Sequence, residues 1–320
     1  MKAKILIADK FPEKYLDELK SLDVEVENSP KLGEKDLETA AKDATILVVR
    51  STIVNETTIN NAGKLKVIIR AGAGVNNIAI PAASAKGVSV ANCPGKNSVA
   101  VAELAIGLMV SLDRKIPDNV NDFKNGKWNK AEYSKAEGLK GKTLGVVGVG
   151  NIGKEVAKRA AAFDMTVYGY DIVRLEDVQL EYLDTIEELL PKCDVISIHL
   201  PANDKTKGIF NKDFFGLMKQ NAFFINTSRH AVIDEAALID AIKEKNLRVA
   251  LDVFKDEPEG KTGEVTSSLT SNPNVYITHH IGASTTQAQN AVAEETINII
   301  KHFVDGGVVD NCVNKGDLAG

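Results

Sequence analysis

Short runs of β-branched and other apolar residues alternate with amphipathic helical patterns along nearly the whole chain. In the first hundred residues this pattern predicts strands at Lys4–Ala8, Val24–Glu27, Ile46–Arg50, Val67–Arg70 and Val88–Ala91. Helical patterns separate these strands, and a long apolar-rich helix is predicted from Ser98 to Arg114. Strands that alternate with helices are typical of parallel sheets covered by helices.

A second series of strands and helices begins at Gly141. Its predicted strands are Leu144–Gly148, Thr166–Tyr170, Val195–Leu200, Phe223–Asn226, Val249–Val253 and Val275–Thr278. Asp234 is predicted to cap the helix that starts at Glu235, and a final helix is predicted over Thr286–Phe303. The chain therefore predicts an α/β fold with two doubly wound parallel sheets, of which the first is the smaller.

Length and composition exclude several classes of protein. The chain has 320 residues, of which 44% are hydrophobic and 26% charged. These values are typical of a globular protein with two domains of about 150 residues each. The formal net charge is −5, and a mildly acidic chain is a poor candidate for binding nucleic acid or an anionic membrane. We therefore expect no nucleic-acid or membrane partner, and a few local cations must hold any anionic ligand.

The cysteines and the first residues bear on the cellular compartment. Cys93, Cys193 and Cys312 are far apart in the sequence, so neither a zinc spacing nor a disulfide framework is indicated. The apolar run before Asp9 is too short for a signal peptide or a membrane span. A reducing, cytoplasmic location is the expectation.

A glycine-rich turn follows the first strand of the second series. The spacing G-x-G-x-x-G lets Gly148 make a tight bend, Gly150 bring the backbone close to a pyrophosphate, and Gly153 pack the helix on the strand. The next strand runs into Asp171, whose carboxylate is placed to accept hydrogen bonds from the adenosine ribose and to repel a 2′-phosphate. The motif predicts NAD rather than NADP as cofactor, although the cation of Arg174 follows closely.

Three polar side chains follow strands of the same predicted sheet: Arg229, Glu257 and His280. The carboxyl ends of parallel strands meet at one edge, so these side chains are expected to converge there. A guanidinium binds a carboxylate bidentately, an imidazole exchanges a proton with a hydroxyl, and a carboxylate orients that imidazole. Each residue alone is more often structural, but three beyond one sheet edge favour hydride transfer on a 2-hydroxy acid.

The chain as a whole resembles the D-isomer-specific 2-hydroxyacid dehydrogenases. The resemblance rests on Arg70–Asn77, Asn92–Ser98, Gly126–Trp128, Leu139–Gly145, Ala250–Phe254 and His280–Thr285. It implies that Arg229 binds the substrate carboxylate, that Glu257 is the acidic partner and that His280 is the acid/base. These roles agree with the strand-end argument.

The resemblance also implies the architecture. It predicts a Rossmann NAD-binding domain at residues 98–285 and a smaller, flavodoxin-like substrate-binding domain formed by residues 1–97 and 286–320. A homodimer is expected, joined largely through the cofactor domains. Motif and resemblance together predict the following cofactor-binding residues: Gly148, Gly150, Asn151, Ile152, Gly153, Asp171, His199, Pro201, Thr206, Thr227, Ser228, Asp252, Gly282 and Ala283.

The substrate is expected to be a small 2-hydroxy acid that carries a phosphate. The predicted substrate-binding residues are Arg50, Ser51, Ala73, Gly74, Val75 and Asn97, with Arg70, Lys96, Lys130 and Lys135 as weaker cationic candidates. Backbone N–H groups near Gly74 suit a carboxylate because no side chain blocks its approach. Arg50 and Ser51 resemble the pair in members of the family that act on 3-phosphoglycerate.

The resemblance as a whole implies oxidation of D-3-phosphoglycerate by NAD to 3-phosphohydroxypyruvate, the first step of serine biosynthesis. An alternative within the family keeps the chemistry and changes the substrate to glyoxylate, hydroxypyruvate or D-lactate. A second alternative, of another class, is a corepressor that senses NAD on the same fold.

Two positions depart from the family pattern. His230 stands where Gly usually follows the catalytic Arg, and His279 stands where Pro usually precedes the catalytic His. Alternation along the predicted strand would place His279 and His280 on opposite sides, and the Ile-Gly-Ala-Ser-Thr run that follows selects His280. We expect His199 to pack or to contact the cofactor, and His302 to face solvent.

Overall fold

The computed structural model describes residues 2–258 and 262–318; Met1, Ala319 and Gly320, at the ends of the predicted substrate-binding domain, lie outside this range. The chain divides into two compact units, one formed by residues 1–97 and 284–320 and the other by residues 98–283. The second division falls two residues before the position expected from the sequence. Within the described ranges, no helix has the length and apolar character needed to cross a membrane.

The first unit contains a five-stranded parallel sheet in the order β2-β1-β3-β4-β5. Its strands are β1 (Ala3–Ile7), β2 (Val24–Asn28), β3 (Ile46–Val49), β4 (Val67–Arg70) and β5 (Ser89–Asn92). All four residues of β3 are buried, as expected for a central strand that is covered on both faces. Four helices connect these strands: α1 (Glu13–Lys20), α2 (Glu34–Ala40), α3 (Glu56–Asn61) and α4 (Ile80–Ala85).

The second unit contains a seven-stranded parallel sheet. Its strands are β6 (Thr143–Val147), β7 (Thr166–Tyr170), β8 (Glu181–Tyr182), β9 (Val195–Ile198), β10 (Phe223–Asn226), β11 (Arg248–Leu251) and β12 (Val275–Ile277). The strand order is β12-β11-β10-β9-β6-β7-β8. From β6 the strand order runs outward in one direction to β8 and, from the neighbouring β9, in the other direction to β12. Ligands of such sheets bind beyond the strand ends at this switch point.

Helices cover both faces of the second sheet. They are α5 (Ser98–Arg114), α6 (Ile116–Lys124), α7 (Lys130–Tyr133), α8 (Asn151–Ala161), α9 (Ile186–Leu189), α10 (Lys212–Leu217) and α11 (Glu235–Lys245). One face packs α5 and α8 against the strands, and the other buries an aromatic cluster of Phe210, Phe215 and Phe224. The predicted cap of α11 is confirmed, since Asp234 accepts hydrogen bonds from the N–H groups of Ala236 and Ala237.

The last long helix, α12 (Thr286–Gly306), belongs to the first unit. Its buried residues Ala293, Ile297 and Ile300 share a core with the first strands of the chain. After α12, Val313 donates a backbone hydrogen bond to Val90 on β5, at 2.8 Å. The C-terminal segment therefore covers the edge strand of the first sheet.

The prediction of an α/β fold with two doubly wound parallel sheets is confirmed. Several predicted strands end too late: Leu144–Gly148 ends at Val147, Val195–Leu200 at Ile198, and Val249–Val253 at Leu251. In each case the chain leaves the sheet at its carboxyl edge and turns toward the site. The short strand β8 was not predicted because Glu181 and Tyr182 form no apolar run.

Candidate active site

The glycine turn between β6 and α8 has no room for side chains at two of its positions. Gly148 has φ +94°, and a Cβ there would lie 2.7 Å from the carbonyl oxygen of His199. A Cβ on Gly153 would lie 2.1 Å from the carbonyl oxygen of Gly148. A Cβ on Gly150 would meet nothing within 4 Å. The turn therefore packs tightly on the protein side and leaves open space beside Gly150, at the amino end of α8, where a phosphate is favoured.

Asp171 lies at the end of β7, beside this turn. Its Oδ2 accepts the N–H of Val149 at 2.7 Å, and its Oδ1 accepts the N–H of Val173 at 3.2 Å. These bonds fix the plane of a half-buried carboxylate that retains further acceptor capacity. Such a carboxylate can accept hydrogen bonds from the hydroxyls of a ribose.

The residues just after β9 and β10 each carry a buried polar atom with no hydrogen-bond partner among the described residues. These atoms are Nδ1 of His199 and Oγ1 of Thr227. The Nε2 of His199 lies 2.9 Å from Oγ of Ser197, and burial lowers the pKa of His199 to about 3. His199 is therefore a neutral imidazole at physiological pH. Because unpaired buried polar groups are costly, these two atoms fit a site completed by a polar ligand such as a dinucleotide.

Other predicted cofactor residues line the same edge, but some of their polar groups are already engaged. Thr206 donates its hydroxyl to the carbonyl of Pro201 at 2.5 Å, and Ser228 donates its hydroxyl to Oδ1 of Asn226 at 2.7 Å. Asn151 and Ile152 form the first turn of α8. These residues shape the edge, and their contacts with a cofactor stay predictions.

Arg229 follows β10 and is half-buried. Its Nη1 donates to the carbonyl of Ser228 at 2.7 Å, and its own carbonyl accepts from Nδ2 of Asn226 at 2.9 Å. Burial lowers the pKa of Arg229, and the charge of Glu257 opposes that change. A guanidinium stays protonated across the physiological range, so a half-buried cation is held at this edge.

Glu257 and His280 are hydrogen-bonded to each other at the same edge. Nδ1 of His280 lies 2.8 Å from Oε2 of Glu257, whose Oε1 accepts the N–H of Phe254 at 3.0 Å. The hydrogen bond to Glu257 is the main cause that raises the pKa of His280, against the effect of burial. Burial alone would raise the pKa of Glu257. The hydrogen bonds from His280 and Phe254, with a weaker effect of the charge of His230, outweigh burial and lower that pKa.

The segment that carries His280 is held by the buried carboxylate of Asp252. Its Oδ1 accepts the hydroxyl of Thr278 at 2.6 Å and the N–H of Ile281 at 2.9 Å, and its Oδ2 accepts the N–H of Gly282 at 2.8 Å. Sequence reasoning assigned Asp252 to the cofactor and missed this role. Gly282 and Ala283 end the turn that follows His280.

The argument from strand alternation for His279 and His280 was wrong in its premise. Strand β12 ends at Ile277, so both histidines lie beyond it. His280 has φ +51°, a left-handed conformation, and its side chain contacts Glu257; both histidines are exposed. Of the remaining histidines, His230 is exposed near Glu257, and His302 is exposed on α12, where Nδ1 contacts the carboxylate of Asp310.

In the first unit, Asp9 organises the predicted phosphate-binding pair. Its Oδ2 accepts the N–H groups of Arg50, Ser51 and Thr52 at 2.7, 3.0 and 3.0 Å, and its Oδ1 accepts the hydroxyl of Ser51 at 3.0 Å. The polar groups of Ser51 are therefore engaged. Asp9 was not predicted, although it lies two residues after the end of β1, near a strand end like Asp171.

The backbone after β4 carries the other predicted substrate residues. Within residues 2–258 and 262–318, no atom accepts a hydrogen bond from the N–H of Ala73, Gly74 or Val75. These three half-buried residues therefore present free donors, and Asn97 is half-buried at the end of the unit. Two of the weaker cationic candidates are neutralised, since Lys96 pairs with Glu295 at 2.9 Å and Lys135 with Glu132 at 2.5 Å.

A glycine turn, a strand-end carboxylate and a His–Glu pair on one parallel sheet define the nucleotide-binding part of a nicotinamide-dependent dehydrogenase. The family model for the D-isomer specific 2-hydroxyacid dehydrogenase, NAD binding domain, matches residues 106–282. The chain belongs to this family, and the prediction of NAD as cofactor is confirmed. In the described part of the chain, no group of three or more His, Cys, Asp or Glu is placed to hold a metal ion.

Several named relatives are similar over most of this chain. A D-3-phosphoglycerate dehydrogenase of Methanocaldococcus jannaschii is 42% identical over 98% of this chain and 60% of its own length. A hydroxypyruvate reductase of Thermotoga maritima is 43% identical over 80% of this chain and 83% of its own length. A solved structure of 3-phosphoglycerate dehydrogenase from Entamoeba histolytica with NAD+ bound has TM-score 0.81 and 30% identity, covering 98% of this chain and 99% of that one. This chain thus spans about 60% of the archaeal dehydrogenase.

Proposed function

We propose that this protein oxidises D-3-phosphoglycerate to 3-phosphohydroxypyruvate with NAD, the reaction that opens serine biosynthesis. The observation that carries the proposal is the hydrogen bond between His280 and Glu257 at the carboxyl edge of the NAD-binding sheet. Similarity to the M. jannaschii D-3-phosphoglycerate dehydrogenase over 98% of this chain supports the choice of substrate.

The chemistry follows from the protonation of these groups. With Nδ1 turned to Glu257, the Nε2 atom of His280 is left to remove the proton of the C2 hydroxyl. Glu257 stabilises the imidazolium that forms, and Arg229 binds the substrate carboxylate bidentately so that one face of C2 is presented. Bound at the glycine turn, NAD supplies the acceptor for the C2 hydride. In the reverse direction, the imidazolium of His280 returns the proton to the carbonyl oxygen.

The contacts with the substrate are proposed from the first unit. The free N–H groups of Ala73, Gly74 and Val75 suit a carboxylate. The guanidinium of Arg50 has no side-chain partner among the described residues, and the backbone N–H of Arg50 donates to Oδ2 of Asp9, which fixes the position of its Cα. We assign the substrate phosphate to Arg50.

The test is NADH formation at alkaline pH from D-3-phosphoglycerate, measured beside D-glycerate and D-lactate. Strong activity with the phosphorylated acid alone is expected, and Arg50→Gln should then raise KM for that acid at least tenfold. Activity with the unphosphorylated acids alone would overturn the proposed substrate but keep the roles of Arg229, Glu257 and His280. Tight binding of NADH with no turnover of any hydroxy acid would favour the corepressor.

A second candidate function is reduction of hydroxypyruvate. It is favoured by similarity to the T. maritima hydroxypyruvate reductase, which is 43% identical over 80% of this chain. The two functions share the same catalytic groups and differ in the phosphate. NADH oxidation with hydroxypyruvate, compared with 3-phosphohydroxypyruvate, decides between them.

The proposal includes a homodimer in the cytoplasm. Phe123 and Trp128 are 66% and 78% exposed, with ring centroids 6.3 Å apart, and form an apolar patch on the second unit. Exposed aromatic patches of this kind favour protein–protein contact. The double variant Phe123→Ser/Trp128→Ser should sediment as a monomer where the parent sediments as a dimer. The unpaired thiols of Cys93, Cys193 and Cys312 suit a reducing compartment.

A further inference from the structure

Arg174 lies beside the carboxylate that is placed to bind the adenosine ribose. It follows Asp171 by three residues, after the end of β7. Strand β8 pairs with β7, and beyond the pair Leu183 donates its N–H to the carbonyl of Gly169 at 2.9 Å. Neighbouring strands lie about 4.8 Å apart, so the residues that follow β8 border the ribose-binding edge.

The guanidinium of Arg174 is held by three consecutive residues at the end of β8. Its Nη2 forms an ion pair with Oδ1 of Asp184 and approaches the carbonyl of Leu183 at 3.5 Å. The guanidinium also lies over the ring of Tyr182, 5.6 Å from its centroid. The hydroxyl of Tyr182 in turn accepts the N–H of Leu175 at 3.0 Å, which ties the segment after Arg174 to the same ring.

These contacts bear on the choice between the two nicotinamide cofactors. NADP carries a 2′-phosphate on the adenosine ribose, and a nearby Arg is the group that accommodates it in folds of this kind. Arg174 is the cation that follows Asp171, and its planar donors match a phosphate. Asp184 offers the same guanidinium a competing anion.

We propose that Asp184 is a specificity-determining residue: it holds Arg174 against β8 and so withholds that cation from the 2′-phosphate of NADP. Asp171 acts by repelling the phosphate, whereas Asp184 acts through Arg174. The side chains of Arg174 and Asp184 are 51% and 78% exposed. An ion pair this exposed corresponds to about a 1.4- to fivefold effect on a competing equilibrium.

The experiment is calorimetric titration of NAD and NADP into the whole protein without substrate. Asp184→Asn should tighten NADP binding about threefold, a value within the range for exposed ion pairs, while the Kd for NAD changes less than the Kd for NADP. Glu187→Gln is the matched control, because it removes one exposed carboxylate from the helix that follows Asp184, and no described residue pairs with it. This control should change neither Kd.

A double variant separates release of Arg174 from simple removal of negative charge. Asp184→Asn combined with Arg174→Gln should lose the gain in NADP affinity. The proposal is overturned if the gain persists in that double variant, if Glu187→Gln gives the same gain, or if Asp184→Asn gives none. Where wild-type NADP binding is too weak to titrate, Asp171→Asn is added to the parent and to each variant. This change removes the repelling carboxylate from all the proteins that are compared.

Discussion

The Nδ1 atom of His280 lies 2.8 Å from Oε2 of Glu257. This contact determines which ring nitrogen faces Glu257, and Nε2 takes no part in it. A second acidic side chain, Asp252, holds the backbone on both sides of the imidazole through Thr278 and Gly282. The imidazole of His280 is thus oriented by one carboxylate at its side chain and by another at the backbone that follows it.

Replacement of His280 by Ala should remove the acid/base and leave cofactor binding intact. We expect turnover to fall by about 10²- to 10⁴-fold, the usual contribution of such a group, with the Kd for NAD changed by less than about threefold. Steady-state rates and NADH titration measure the two quantities. His279→Ala is the control, because that exposed side chain directly precedes His280. Near-normal turnover in His280→Ala together with loss of activity in His279→Ala would show that the register is wrong.

Replacement of Glu257 by Gln should move the pH profile of oxidation. Glu257 raises the pKa of His280, so its loss lowers that pKa and leaves a neutral base at lower pH. We expect the acid limb of kcat/KM for NADH formation to shift to lower pH. The maximum rate should fall because the imidazolium is no longer stabilised. Asp256→Asn, an exposed neighbour, should leave the profile unchanged. A limb that stays in place in Glu257→Gln would contradict the assignment of His280 as the titrating base.

Two glycines of the β6–α8 turn should respond differently to the same substitution. Gly153→Ala places Cβ against the carbonyl of Gly148 and should destabilise the protein by about 1–3 kcal/mol. Gly150→Ala adds a methyl group in open space, so we expect an unchanged Tm but weaker NAD binding, because the methyl group occupies the path of the pyrophosphate. Thermal melts and NAD titrations measure both effects. Unchanged NAD affinity in Gly150→Ala would place the pyrophosphate elsewhere.

Replacement of Asp9 by Asn should reduce the free energy of unfolding by an amount that depends on pH, because the parent carboxylate is charged only above its pKa. Burial opposes the charge of Asp9, but hydrogen bonds from Thr52, Arg50 and Ser51 outweigh it and lower the pKa of Asp9. A lowered pKa stabilises the fold above the unfolded value of about 3.9, and this stabilisation is lost as the pH falls through the folded value. We expect Asp9→Asn to be less stable at pH 7 by about 2 kcal/mol, typical of bonds to a charged group.

Urea unfolding at several pH values measures the difference between Asp9→Asn and the parent, which should shrink as the pH falls below about 4. Asp17→Asn is the control, since its carboxylate lies on the surface of α1 with a side chain 75% exposed. A constant difference across this pH range would mean that the carboxylate charge of Asp9 does not stabilise the fold.

Most of the sheet architecture could be predicted because buried parallel strands are continuous apolar runs. The rule that strand ends converge also brought Glu257 and His280 to one edge, and the structure places them in contact. The missing parts depend on the geometry of turns. The hydrogen bonds from residues 278–282 to Asp252 require a backbone conformation that no local sequence pattern predicts.

The same limit applies to the remaining contacts. The left-handed φ of His280 is unusual for a residue other than glycine, so strand alternation was the wrong guide there. Arg174 was recognised as a cation near Asp171, but its partner Asp184 follows a strand of two residues, Glu181 and Tyr182, that is too short to give a periodic signal.

The position of α12 has a consequence for synthesis of the protein on the ribosome. The second unit is a single continuous segment, 98–283, whereas the core of the first unit includes Ile297 and Ile300 of α12. During translation the nucleotide-binding unit is therefore fully synthesised first, although it comes second in the chain. The five strands of the first unit are synthesised about 200 residues before α12. At a translation rate of roughly 5–20 residues per second, their packing against α12 is delayed by the time that this length takes to synthesise. Until then, the apolar side chains of the first sheet that pack against Ile297 and Ile300 lack this covering helix.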